Sequence, residues 1–391
     1  MSSHTAQFDQ WIRGNFVRLN TDLEELYFAA ADRGEVAGIG DELKQQLVVE
    51  GREHITALLQ EGNTDQGFDA GFDLLGNVGL YMAACRRHDI TEPSRETKSP
   101  LIEASALAMQ IGAALGVAPR FASAHLETHN RANNGVFKTF TSLPDEACFI
   151  NFNTRAALAF IRASEALLHI LPLGISHPVT ADLLAVTKTA LEDVVASNDE
   201  LFEALDTDRF FYSVRPYYKP HRVGLRKYRG ANAGDFAGMN VIDLLLGLCR
   251  GDDPYYSQIL VDKFQFMRPD DQLVLRDCMR RKSLLDSFLD ELDDHGSEVW
   301  FQKNLGLFLD VCKAHGATAT QHHEKLVARF IEAPAAASGA LDQPDLTASG
   351  PSLPVLLKSL RKLADLRSAA DRDDIPSRYQ DLVKLRDSLQ L

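Results

Sequence analysis

Residues 100–116 read PLIEASALAMQIGAALG. A proline opens this stretch and a glycine closes it. That is helix punctuation: proline tolerates the first turn, where its missing N–H costs nothing, and glycine takes the left-handed stop. Between them apolar residues recur every three to four positions and so share one helical face. The same period runs outward in both directions. Upstream, TDLEELYFAAA (21–31) places Leu23, Leu26 and Tyr27 on one face behind Thr21 or Asp22 as cap. Downstream, NTRAALAFIRASEALLHILP (153–172) ends at Pro172, and 179–204 reads as another long helix. NVIDLLLGLCR (240–250) is short and nearly all apolar, as a central helix should be. Segments 255–266, 270–281, 283–292, 298–314, 319–331, 354–369 and 376–390 continue the series. Alternating strand patterns are scarce, and VFKTFTSL (136–143) is the best candidate. The expected fold class is all-α.

The chain has 391 residues, 45% of them hydrophobic and 25% charged, which suits a globular protein rather than a disordered one. At about 150 residues per domain, two or three domains or one large helical one are expected. The polar run THNRANNG (128–135) separates two helical blocks. It suggests a smaller N-terminal helical domain over 1–135 and a larger helical domain over 136–391. With 41 basic against 55 acidic side chains the formal charge is -14, which argues against non-specific partners such as nucleic acid or an anionic membrane. No apolar run reaches the roughly 18 to 20 residues of a membrane span. The opening MSSHTAQFDQW lacks a basic-then-apolar signal, so a cytoplasmic location is expected. Five cysteines, with no CxxC, fit unpaired thiols used as small core residues. GxxxxGK[ST], HExxH and GxSxG are absent, which removes the main support for the common ATP, zinc-protease and hydrolase readings.

Two segments break the helical rhythm. The first is RFFYSVRPYYKPHRVGLRKYRGANAGDFAG (209–238). Arg215 stands there between Phe210-Phe211 and Tyr217-Tyr218. A guanidinium fixed among rings either clamps a carboxylate through two parallel hydrogen bonds or bonds loop carbonyls structurally. Gly230, Gly234 and Gly238, with Ala231, Ala233 and Ala237, either let backbone approach a ligand closely or simply pack. The second segment, EAPAAASGALDQPDLTASGPSLP (332–354), is small and rich in Pro, Gly and Ser. It reads as a mobile binding loop or as a surface loop. Among twelve histidines, the cluster His315, His322 and His323 stands out. On α-helical spacing His323 shares a face with Ala319, Leu326, Val327 and Phe330, while His322 sides with Lys325 and Arg329 and should point to water. A histidine on an apolar face is either a satisfied core residue or the single imidazole a haem needs. Asp235 is the one nearby candidate for a base, and no residue is assigned as catalytic acid or base.

The order of these strings carries a resemblance. FFYSVRPYY, then RGANAGDFAG leading into VIDLLLGL, then HHEKLVARFIE, then TASGPSLPVLLKSL resembles the indoleamine/tryptophan 2,3-dioxygenase superfamily, the haem-dependent aromatic oxygenases. It is closest to the branch typified by monodechloroaminopyrrolnitrin synthase. FTSLPDEA (140–147) and RPYYKPHRVG (215–224) are the most specific shared strings, and the similarity is clearest over 137–367. The resemblance implies an indoleamine 2,3-dioxygenase-like helical haem fold. It places the proximal ligand of the haem iron on His323, the carboxylate-binding arginine on Arg215, and pocket-wall rings on Phe210 and Phe211. The small-residue stretch over the haem falls on Ala231, Asn232, Ala233 and Gly234. The mobile loop over the substrate falls on Thr347, Ala348, Ser349 and Gly350. Three departures stand out. The dioxygenases' GTGG reads TASG here, the serine of their GGSAG is Asn232, and their pocket serine is Ala157. These leave amino-acid binding at a haem intact and weaken the case for opening the indole ring.

The function this implies uses haem b and dioxygen to oxidise, hydroxylate or oxidatively rearrange L-tryptophan or a substituted aromatic amino acid, in secondary metabolism. The alternatives are a 2,3-dioxygenase forming N-formylkynurenine and a non-catalytic haem or amino-acid sensor. The oligomeric state stays open.

Overall fold

The structure, a computed structural model, describes residues 3–62, 67–231, 235–339 and 352–390. It is all-helical. Among the described residues the sheet content is one two-stranded hairpin, β1 (His221–Val223) with β2 (Arg226–Tyr228), paired antiparallel.

The punctuation works as physical chemistry requires. The stretch 100–116 forms the helix Ile102–Leu115, and Gly116 closes it at φ +69°. Prolines begin Pro144–Ile170, Pro178–Ala204, Pro254–Phe264 and Pro269–Cys278. The Asp253 carboxylate accepts from the Tyr255 and Tyr256 amides and the Ser283 hydroxyl from that of Asp286, which satisfies N–H groups that the first helical turn leaves open.

Contacts gather the chain into two compact units. The first comprises Met1–Asn151, Ala204–Asp235 and Phe330–Leu353, the second Phe152–Glu203, Phe236–Arg329 and Pro354–Leu391. Residues 136–151, 204–235 and 330–353, expected in the larger C-terminal part, thus group with the N-terminal segment.

In the first unit the helix Phe68–Arg87 runs through the core, buried continuously from Leu74 to Arg87. Gly79 lets it lie against the chain at Phe121, where a Cβ would collide with backbone. In the second unit the helix Gly238–Leu246 is central as expected, with Val241, Ile242, Leu245 and Leu246 in the core. It stops at Gly247, φ +80°. The long helix Val299–Gln321 is tied to its neighbours by Asn304 donating to the Ile175 carbonyl (2.7 Å) and Gln321 donating to that of Val195 (2.8 Å).

The strand expected at 136–143 does not form. Its amides are taken by side chains: Glu146 accepts from the N–H groups of Phe140 (2.7 Å) and Thr141 (2.6 Å), and Asn130 from that of Lys138 (3.0 Å). Only an isolated bridge, Asn133 with Val136, is left. The hairpin lies instead inside the aromatic-rich segment. Gly224, φ +58°, is the first of two turn residues, the position a II′ turn reserves for glycine.

All five cysteines are free, and all but Cys148 are buried. Among the described residues no helix is long and apolar enough to cross a membrane.

Candidate functional site

The first unit holds the residues expected to face an amino acid. A helical turn at Thr207–Arg209, capped by Asp206, feeds a π-helical turn, Phe210–Val214, and then a 3-10 turn, Arg215–Tyr218. In a π-helix each N–H reaches the carbonyl five residues back, so one turn takes more residues than in an α-helix; such turns recur at functional sites.

Phe210 is buried with its ring centroid 5.0 Å from that of Phe149 and 5.9 Å from that of Phe330. Phe211 is also buried, and the Arg215 guanidinium lies 5.3 Å from its ring centroid. Arg215 is 8% exposed. Neither a hydrogen-bond acceptor nor a carboxylate partners it among the described residues, and burial pushes its pKa down to about 10. Among the described residues no loop carbonyl accepts a hydrogen bond from Arg215. The nearby Arg87, by contrast, is fully answered by Glu24 through two hydrogen bonds of 2.7 and 2.8 Å.

The small-residue run divides. A Cβ on Gly230 would fall inside the Tyr218 carbonyl, so this glycine serves close packing against the 3-10 turn. Gly238 is likewise crowded, by the Phe236 ring. Ala231 is buried in the first core. Asn232, Ala233 and Gly234 lie outside the described residues, as do Thr347, Ala348, Ser349 and Gly350. Asp235 is not poised as a base: Arg120 holds it with bonds of 3.0 Å to both oxygens, and Arg229 adds a third at 2.8 Å.

The second unit holds the histidines. His315 is fully buried and its Nε2 lies 2.6 Å from Asp243. Asp243 also takes two bonds from Arg367 and one from the Tyr256 hydroxyl. Burial alone would raise the Asp243 pKa, but the Arg367 guanidinium and His315 hold it well below the usual carboxylate range. His315 is thereby committed to structure.

After Gln321 the helix continues as an eleven-residue π-helix, His322–Glu332. This changes the α-helical face assignment. His322, expected to face water, is half-buried, and its pKa is pushed down to about 4 by burial, with Arg367, His323 and Lys263 adding. His323 is half-buried near Ala319 and Val327 in sequence, both of which are buried. Its Nδ1 is buried without a hydrogen-bond partner, and among the described residues its Nε2 has none either. An imidazole with both nitrogens unclaimed fits an axial haem ligand. Among the described residues none stands at Nδ1 as the acceptor that usually fixes the ring of a ligating histidine. Among the described residues no cluster of three or more His, Cys, Asp or Glu side chains could hold a bare metal ion. Ala157, at the dioxygenases' pocket-serine position, is buried.

The family comparison places this helical chain in the haem tryptophan dioxygenase-like group. The family model described as Monodechloroaminopyrrolnitrin synthase PrnB matches residues 2–389, and the chain belongs to that family. The family is one of oxygenases acting on a tryptophan derivative.

Lys219, the residue after RPYY, is not among the expected site residues. Lys219 is half-buried, and its pKa is pushed down to about 7 by burial and by Arg215, Arg86 and Arg87. The signal was available: two cations four residues apart in an apolar setting.

Proposed function

We propose that this protein is a haem b-dependent enzyme that uses dioxygen to oxidise, hydroxylate or oxidatively rearrange L-tryptophan or a substituted aromatic amino acid in secondary metabolism. The observation that carries the reading is Arg215, a buried guanidinium with no acceptor among the described residues, beside the Phe211 ring. An unpaired buried charge is costly, and an amino-acid carboxylate answers it with two charge-assisted hydrogen bonds. Phe210 and Phe211 supply apolar surface for an indole ring and help keep water from it. His323 would hold the haem iron, and Ala231, Asn232, Ala233 and Gly234 would line the haem. Haem, when bound, supplies the activation of dioxygen. Ser349 and Gly350 would contact the amino group. With Asp235 tied to two arginines, no side chain is assigned the part of a proton-abstracting base.

The test is the visible spectrum of the purified protein before and after tryptophan, followed by product mass. A Soret band that shifts with tryptophan, and a product other than N-formylkynurenine, is the expected result. A colourless protein that cannot be loaded with haem defeats the reading. Incorporation of both oxygen atoms into a ring-opened product would assign the 2,3-dioxygenase reaction instead, and haem binding without turnover would assign a sensor.

A further inference from the structure

Four cations gather around the turn that carries Arg215. Arg86 is answered by Glu92 at 3.1 Å, and Arg87 by Glu24 at 2.7 Å. Arg215 and Lys219 have no carboxylate among the described residues. Among the described residues these four basic groups thus meet two carboxylates, and Arg215 and Lys219, the two without an ion pair, sit four residues apart, one opening the 3-10 turn and one directly following it. That turn cannot easily relax. Pro216 stiffens it, and the Gly230 backbone lies directly on the Tyr218 carbonyl. Natural interiors pair their buried charges or leave them neutral.

We infer that Lys219 is a second cation of the Arg215 site and that the two together bind one carboxylate. This rests on the reading of Arg215 given above and adds a specificity-determining residue to it. The groups facing Lys219 are Arg215 on its own turn, Arg86 and Arg87 from the helix Phe68–Arg87, and Glu92 from the segment after it. Burial first, and then the three positive groups among these four, bring the Lys219 pKa down to about 7, so without ligand it gives up its proton near neutral pH. A bound carboxylate reverses the local balance, and Lys219 takes the proton back. Binding and proton uptake are therefore linked. The carboxylate has two possible sources with the same chemistry, the amino acid and a haem propionate, and Arg215 favours the amino acid.

The experiment titrates the holoprotein with L-tryptophan and with tryptamine, which lacks the carboxylate, by calorimetry at pH 8 in two buffers of different ionisation enthalpy. Wild type should take up about one proton per tryptophan and none with tryptamine. Lys219→Met should lose this uptake and bind tryptophan about tenfold more weakly, with tryptamine unaffected. Lys219→Arg should keep most of the affinity without the proton uptake. If Lys219→Met instead spares tryptophan and weakens haem about tenfold relative to haem dimethyl ester, the carboxylate is the propionate. The proposal is overturned if wild type takes up no proton and Lys219→Met changes neither ligand. In that event a retained preference for tryptophan over tryptamine, lost in Arg215→Met, leaves the Arg215 reading standing. A wild type indifferent to the carboxylate removes both.

Discussion

Asp243 and His315 share a 2.6 Å hydrogen bond at a place where neither side chain touches solvent. Arg367 and Tyr256 converge on the same carboxylate. A buried ion pair broken on one side leaves an unanswered charge, which costs about 3 to 5 kcal/mol. Asp243→Asn should therefore destabilise the protein by about that much, read as a shift in the urea midpoint at constant slope. The folded pKa of Asp243 is depressed, so its contribution is present above the unfolded value and lost as pH falls through the folded one. The acid-unfolding limb of the wild type should lie below the usual carboxylate range, and the substitution should flatten it.

Haem ligation is decided by two neighbouring residues. His323→Ala should lose the Soret band, and His322→Ala should keep it. Both imidazoles are half-buried and neither has a hydrogen-bond partner among the described residues, so the choice between them rests on the order of motifs in which the sequence resembles the haem oxygenases. Interchanged results would move the ligand to His322.

Arg215→Ala should cost about 2 to 5 kcal/mol of tryptophan binding and erase most of the preference over tryptamine. Arg215→Lys should be nearly as poor, because an ammonium cannot reproduce the planar fork. Equal binding of both amines by wild type would remove the clamp.

Lys219 also leaves a mark on stability without ligand. Its folded pKa of about 7 lies below the ordinary lysine value. The folded state is therefore favoured more as pH rises from about 7 towards the unfolded value of about 10.4. A thermal midpoint that climbs over that window in wild type and is flat in Lys219→Met is the expected pair of curves.

Glu146 explains why FTSLPDEA has the residues it has. Its two oxygens hold the Phe140 and Thr141 amides and the Thr141 hydroxyl. Glu146→Ala would strand these buried donors and should cost about 1 to 3 kcal/mol in chemical denaturation, with haem content unchanged in the folded fraction.

Helices were legible wherever a local rule decides them. Pro254 and Pro269 begin helices, Gly116 and Gly247 end them, and apolar period fills the span. The strand reading of 136–143 failed because Glu146 and Asn130 compete for its amides, and a propensity pattern does not register side-chain acceptors outside the window. The hairpin at 221–228 was hidden by short strands in a segment read as irregular, although Gly224-Leu225 is a two-residue turn signal. Of the site, Arg215, Phe210 and Phe211 were legible as residue types, but that Arg215 lacks a partner required three dimensions. The water-facing assignment of His322 failed because it assumed 3.6 residues per turn, whereas the helix is π-type there.

The π-helix His322–Glu332 also gives the chain an unusual handle. Elsewhere in a helix, inserting or deleting one residue turns everything beyond it by about 100°, and packed cores do not survive that. A π-helical stretch carries surplus length, so it can absorb a deletion by tightening to ordinary α geometry. The direction of an imidazole would then be retuned by the length of the chain, with both histidines kept. For an engineer, or for natural drift among related proteins, indels between His322 and Glu332 are a route to re-aiming these side chains that substitutions do not reach.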